Sequence, residues 1–145
     1  MQNNVIRLYL ENYNMLKPEE NLNDRPASGP PGLADVFSPC ALVEAELTAT
    51  IPAFPAHRFH GAIDRLLISD TQVTAIDFKT NRQVPDSAAQ VPEGILRQMG
   101  AYHAMLHEIF PSRQINIAIL WTATAQLMPL PHDMLMDALS RATIP

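Results

Sequence analysis

Two short apolar stretches held apart by four polar residues constrain this chain more than any other feature. Residues 59–68 and 73–79 are rich in isoleucine, leucine, valine and phenylalanine, and Ser69-Asp70-Thr71-Gln72 joins them. Runs of this kind bounded by a polar turn read as strands, and so short a connection favours an antiparallel hairpin. The hairpin carries charge where a small domain normally places core. Asp64 sits in Gly61-Ala62-Ile63-Asp64-Arg65, and Asp77 and Lys79 sit in Ile76-Asp77-Phe78-Lys79-Thr80. A buried charge without a partner or a metal costs roughly several kcal/mol, so these side chains call for an explanation.

The pattern around the hairpin predicts a mixed sheet with helices packed on it, an α/β fold. Residues 4–16 have helix-like apolar spacing, with Val5, Leu8, Tyr9 and Leu16 on one face. Residues 26–32 hold too many prolines and glycines for helix or sheet and read as a linker. A strand is expected over 43–51, with irregular alternation, ending before Pro52. Beyond the hairpin, 80–91 is a polar loop. A helix over 92–110 follows, with Ile95, Met99, Leu106 and Ile109 as its apolar stripe and Pro111-Ser112 as its stop. Residues 115–121 are nearly continuously apolar, as in a strand covered on both faces. A further strand over 126–129 and a closing helix over 132–141 complete the order. Residues 1–36 then form an N-terminal helix and linker, and residues 37–145 the domain proper.

A chain of 145 residues is one domain, long enough for a core and too short for a motor or a second enzyme. No apolar stretch approaches the ~20 residues that span a bilayer, and the N-terminus lacks the order of a secretion signal, so a cytoplasmic location is expected. With Cys40 the single cysteine, the chain builds no internal disulfide and no multi-thiolate metal centre. The formal charge of −5 opposes free-standing nucleic-acid binding. Its distribution softens that objection. Residues 1–46 carry three cations against seven acids, whereas residues 57–113 carry six of each. Weak affinity for DNA alone is expected.

Side chains alternate along a strand, so Asp77 and Lys79 point to one side while Ile76 and Phe78 point to the other. Pairing around the short turn can bring Asp64 beside Asp77. Two carboxylates at close range repel unless a cation sits between them, and hard oxygen ligands suit Mg²⁺ or Mn²⁺. Lys79 would hold the attacking water or the scissile phosphate. An ordinary Asp77–Lys79 ion pair on an exposed strand fits the same three letters. Gly61 leaves room for a close approach, or marks a bulge. On the helix, Gln98 and Tyr102 are four apart and share a face, where an amide and a phenol could orient the lysine or contact DNA.

Asp64, Asp77-Phe78-Lys79 and Gln98-Met99-Gly100-Ala101-Tyr102 together resemble the PD-(D/E)xK nuclease superfamily in its RecB branch. The wording is closest to the C-terminal nuclease domain of the alphaproteobacterial AddA helicase–nuclease subunit. The stretches that carry this likeness are Gly61 to Leu66, Asp77-Phe78-Lys79-Thr80-Asn81-Arg82, Val91-Pro92, Arg97-Gln98, Tyr102 and Ala118-Ile119-Leu120-Trp121-Thr122. It covers residues 37–139. The resemblance implies an α/β/α sandwich and Mg²⁺-dependent cleavage of DNA ends in double-strand-break repair. The implied partners are an AddB-like subunit and the helicase portion of AddA. Carried over residue by residue, Asp64 and Asp77 bind metal, Lys79 is the catalytic lysine, and Gln98 and Tyr102 support the site.

The chain also departs from that pattern. The family usually adds an upstream histidine or acid, and residues 1–56 contain no histidine. No Gly-x-x-x-x-Gly-Lys-Ser/Thr loop is present, so no ATP-driven motor is expected, and the chain reads as a tail of a longer protein. Glu46 aligns with a glutamate common in the family and reads either as a further ligand or as an edge-strand acid. Alternative readings are a catalytically silent scaffold for a DNA channel or subunit packing, and a stand-alone RecB-type exonuclease. His103 and His107 read as surface residues, His57 and His60 as strand-end histidines, and Trp121 as core. Met128, Met134 and Met136 read as core filling or as a docking surface. Ser38, Ser69 and Ser87 lack the partners of a serine nucleophile.

Overall fold

The hairpin forms as the spacing predicts, and the rest of the sheet is built outward from it. A computed structural model of the chain describes the backbone of residues 5–7 and the whole of residues 32–143. In chain order the elements are β1 (Val5–Arg7), α1 (Leu33–Val36), β2 (Leu42–Thr50), β3 (Arg58–Ile68), β4 (Gln72–Lys79), a 3-10 turn (Ala88–Gln90), α2 (Glu93–Ile109), β5 (Gln114–Trp121), β6 (Gln126–Leu130) and α3 (His132–Ser140). The six strands among the described residues lie in the order β1-β2-β3-β4-β5-β6, antiparallel throughout except for the parallel pair β4 and β5. That parallel pair needs a crossover, and α2 supplies it.

Ser69 closes the β3–β4 turn twice over. Its N–H donates to the Gln72 carbonyl at 2.9 Å, and its hydroxyl accepts the Gln72 N–H at 3.1 Å. The register then runs Ile68↔Val73 to Arg65↔Ile76 and stops there. Alternation sorts β4 and β5 cleanly. Val73, Ala75, Ile117 and Ile119 meet α2 and α3 in the main core, while Ile76, Ala118 and Leu120 join Val36 and Leu67 on the far face.

Between Leu42 and Ala45 on β2, and between Leu66 and Ile63 on β3, the alternation slips. All four residues bury in the main core, although strict period-two geometry would send one of each pair to the far face. The register Leu42↔Leu66 resumes as Ala45↔Ile63, so both strands turn together. Glu44 takes the strain, at φ 52. The irregular alternation over 43–51 has this cause.

Pro92 caps α2, its carbonyl accepting the Ile95 and Leu96 N–H groups. Glu93, an acid in the first turn of α2 where the helix dipole favours it, is bound by Arg141 at 2.7 Å and 3.2 Å, which ties the end of α3 to the start of α2. Gly100 lets those helices touch: a Cβ there would lie 2.6 Å from the Leu135 carbonyl oxygen.

Two expectations are corrected. Residues 5–7 are a strand, because their backbone groups pair with β2 from Val5↔Thr48 to Arg7↔Glu46; the rest of the helix expected over 4–16 lies outside the described residues, as does most of the linker. The expected stripe of α2 holds, with Met99 and Leu106 buried and Ile95 and Ile109 half-buried against the core, and Leu96 joins it. His103 is 7% exposed, not a surface residue, because α3 covers it and its Nε2 meets His132 Nδ1 at 2.9 Å. Trp121 is fully buried, Met128 is core, and Met134 and Met136 pack half-buried against it.

Candidate active site

The end of β4 projects Asp77 and Lys79 beneath α2. Lys79 Nζ lies 2.9 Å from Asp77 Oδ2 and donates to Gln98 Oε1 at 2.9 Å. Gln98 Nε2 in turn donates to Tyr102 Oη at 3.2 Å. The amide satisfies both neighbours only this way round, because an ammonium group has no acceptor to offer. The sequence placed Gln98 and Tyr102 on one helix face, and the fold brings that face over Lys79.

Asp64 reaches the site where the β3–β4 ladder ends. One step past the Arg65↔Ile76 pair, its Oδ2 accepts the Phe78 N–H at 2.7 Å and so replaces the missing ladder bond. This brings its carboxylate into direct interaction with that of Asp77. Asp77 is 8% exposed. Burial holds its carboxyl above the usual carboxylate range; Lys79 pulls it down and the Asp64 charge raises it again. Burial likewise raises the Tyr102 phenol, helped by the Asp77 charge.

Two crowded carboxylates, one held up by burial and by the other's charge, are a donor set that a hard divalent cation relieves. Among the described residues no group of three or more His, Cys, Asp and Glu gathers at one point. The described residues thus bring two carboxylates together, which suits Mg²⁺, an ion that keeps several waters and takes other oxygens from substrate phosphate. Glu46 stands opposite Ala62, two positions from Asp64 along β3, and joins no such group.

Two supporting contacts were not specified by the sequence. Gly61 faces the Tyr102 ring so closely that a Cβ would lie 2.5 Å from Cε1, so the room it leaves is filled by tyrosine. Of the two sequence readings of Gly61, a close approach and a bulge, the close approach is the one found, and its neighbour was not legible in the sequence. Thr122 binds the Lys79 carbonyl through both its N–H, at 3.0 Å, and its hydroxyl, at 3.3 Å. Four of the five histidines are engaged elsewhere: His60 Nδ1 with Thr48 Oγ1 at 3.1 Å, His57 edge-on to Phe59, and His103 with His132.

A family model described as the PD-(D/E)XK nuclease superfamily matches residues 28–130. No curated protein and no solved structure gives a match.

Proposed function

The chain belongs to the PD-(D/E)XK nuclease superfamily, and we propose that within it the protein is a metal-dependent deoxyribonuclease. The observation that carries this reading is the position of Lys79, held at 2.9 Å by both Asp77 and Gln98, beside a second carboxylate at Asp64. A lysine fixed by two partners is aimed, whereas a surface ion pair leaves its ammonium mobile.

In the proposed reaction Asp64 and Asp77 would hold Mg²⁺ or Mn²⁺. When bound, the ion would lower the pKa of a water and offset charge on the phosphorane oxygens. Hydrolysis forms one P–O bond from water and breaks the bond to the sugar oxygen, which leaves with the proton that water gives up. Lys79 donates hydrogen bonds to the water or to a non-bridging phosphate oxygen. Gln98 keeps the ammonium in place by accepting from it, and Tyr102 keeps Gln98 in its orientation.

The biological setting we propose is an AddAB-type helicase–nuclease acting in double-strand-break repair and recombination, with an AddB-like subunit and the helicase portion of AddA as partners. Support comes from the wording around the site, Asp77-Phe78-Lys79-Thr80-Asn81-Arg82 and Ala118-Ile119-Leu120-Trp121-Thr122, and from a net charge of −5 that suits work beside a DNA-binding partner.

Linear DNA incubated with the full chain and Mg²⁺ tests the enzyme reading. Cleavage should require the metal and fall by about a hundredfold or more in Asp77→Ala and Lys79→Ala, the scale of losing one charge-stabilising group. Equal background cleavage in wild type and both variants would leave the catalytically silent scaffold as the better reading.

A further inference from the structure

Arg65 follows Asp64 on β3 and points to the opposite side of the sheet, away from Lys79 and α2. Its Nη1 donates to the Asp64 carbonyl at 2.8 Å, and its guanidinium lies over the Phe78 ring at 5.1 Å from the centroid. Phe78 is the residue whose N–H the Asp64 carboxylate accepts at 2.7 Å. The three interactions form a closed loop: Asp64 carboxylate to Phe78 backbone, Phe78 ring to Arg65 guanidinium, and Arg65 back to the Asp64 carbonyl. It closes where the β3–β4 ladder has just ended, so no ladder bond fixes the spacing there.

Phe37 completes the arrangement. It is 62% exposed, unusual for a phenylalanine, yet its ring sits 6.3 Å from that of Phe78 and 5.9 Å from the Arg65 guanidinium. The adjacent Val36 is fully buried and anchors α1 to the far face. The guanidinium therefore lies near two rings, a geometry that suits its planar, weakly hydrated cation and that an ammonium group would not reproduce.

We propose that Arg65 is a positioning residue that sets the spacing of the Asp64 and Asp77 carboxylates from behind the sheet. Asp77 precedes Phe78 in β4, so clamping Phe78 to the Asp64 main chain fixes both acids. The purpose of that spacing, holding a divalent ion, rests on the nuclease reading; the clip itself does not.

The full chain is compared with Arg65→Met and Arg65→Lys in three measurements: amide exchange at Phe78 and Ile119 by NMR, Mn²⁺ binding by calorimetry, and cleavage of linear DNA against Mg²⁺ concentration. In Arg65→Met the Phe78 amide should exchange about tenfold faster or more while Ile119 is unchanged, as in a local opening. Mn²⁺ affinity should fall by about 10–100-fold, the usual effect of losing a group that orients a metal ligand. Cleavage should return at high Mg²⁺. Arg65→Lys should lie between, and it carries the comparison if the methionine variant fails to fold. Unchanged Phe78 exchange overturns the clip. Faster exchange with unchanged Mn²⁺ affinity overturns the positioning role, as does lost cleavage that added Mg²⁺ does not restore. A wild type that neither binds Mn²⁺ nor cleaves DNA removes the nuclease reading, and the Phe78 exchange comparison then still decides the clip.

Discussion

Gly61 and Tyr102 stand 41 positions apart in the chain, yet each determines what the other can be. The ring occupies the space that any larger residue at 61 would need, with 2.5 Å between Cε1 and a built Cβ. Gly61→Ala should therefore destabilise the fold by about 1–3 kcal/mol, the range for overpacking. It should also displace Tyr102 from Gln98 and lower activity. Urea denaturation measures the first effect, and the double variant Gly61→Ala, Tyr102→Leu should recover most of the stability without the activity. If Gly61→Ala is neutral, the ring is free to move and its role in holding Gln98 is lost. At this scale the acids, the lysine, the glutamine and the tyrosine were legible as residue types at telling intervals. Which neighbour each would meet was not, because strand and helix periodicity give a direction without a distance.

Among the elements, α2 and α3 meet through Gly100 and through the His103–His132 pair. His103 Nδ1 is buried without a hydrogen-bond partner among the described residues. A neutral His103 carrying its proton on Nε2 avoids an orphaned donor, and it can then donate to His132 Nδ1 at 2.9 Å. Burial first, then the neighbouring His132 and His107, lower the His103 pKa to about 4. The unfolded chain takes up that proton near pH 6.5, whereas the folded chain does so only near 4. The contribution is therefore complete above pH 6.5 and is lost as pH falls toward 4, up to about 3 kcal/mol at roughly 1.4 kcal/mol per unit. Thermal melts from pH 7.5 to 4.5 should show this acid limb, and His103→Phe should flatten it. An equally steep limb in the variant would place the sensitivity elsewhere. The helices themselves were readable from local spacing. The burial of His103 was not, since 103 and 107 share a pattern with surface histidines until α3 is laid across one of them.

For the molecule as a whole, the sheet has two unlike faces. The site face lies under α2 and α3; on the far face, among the described residues, α1 covers a small apolar cluster while Gln72, Thr74, Gln114 and Asn116 form a polar network at the opposite end. No helix among the described residues is long and apolar enough to cross a membrane. With a net charge of −5, the chain should bind DNA weakly by itself, no tighter than about 1 μM at physiological salt, the limit of ordinary non-specific binding. Fluorescence anisotropy in the absence of divalent metal measures this. Affinity in the nanomolar range would show that the basic residues form a sufficient DNA surface without a partner.

The sequence by itself determined the element order from residue 42 onward, the hairpin that carries the acids, and the family, because periodicity, turns and motif spacing are local properties. Tertiary structure decided that residues 5–7 extend the sheet, that β2 and β3 turn together at Glu44, and that Arg65 reaches back behind the site. Each of those depends on backbone and side-chain groups distant in sequence that find one another only once the sheet has assembled, and no local pattern encodes such a distance.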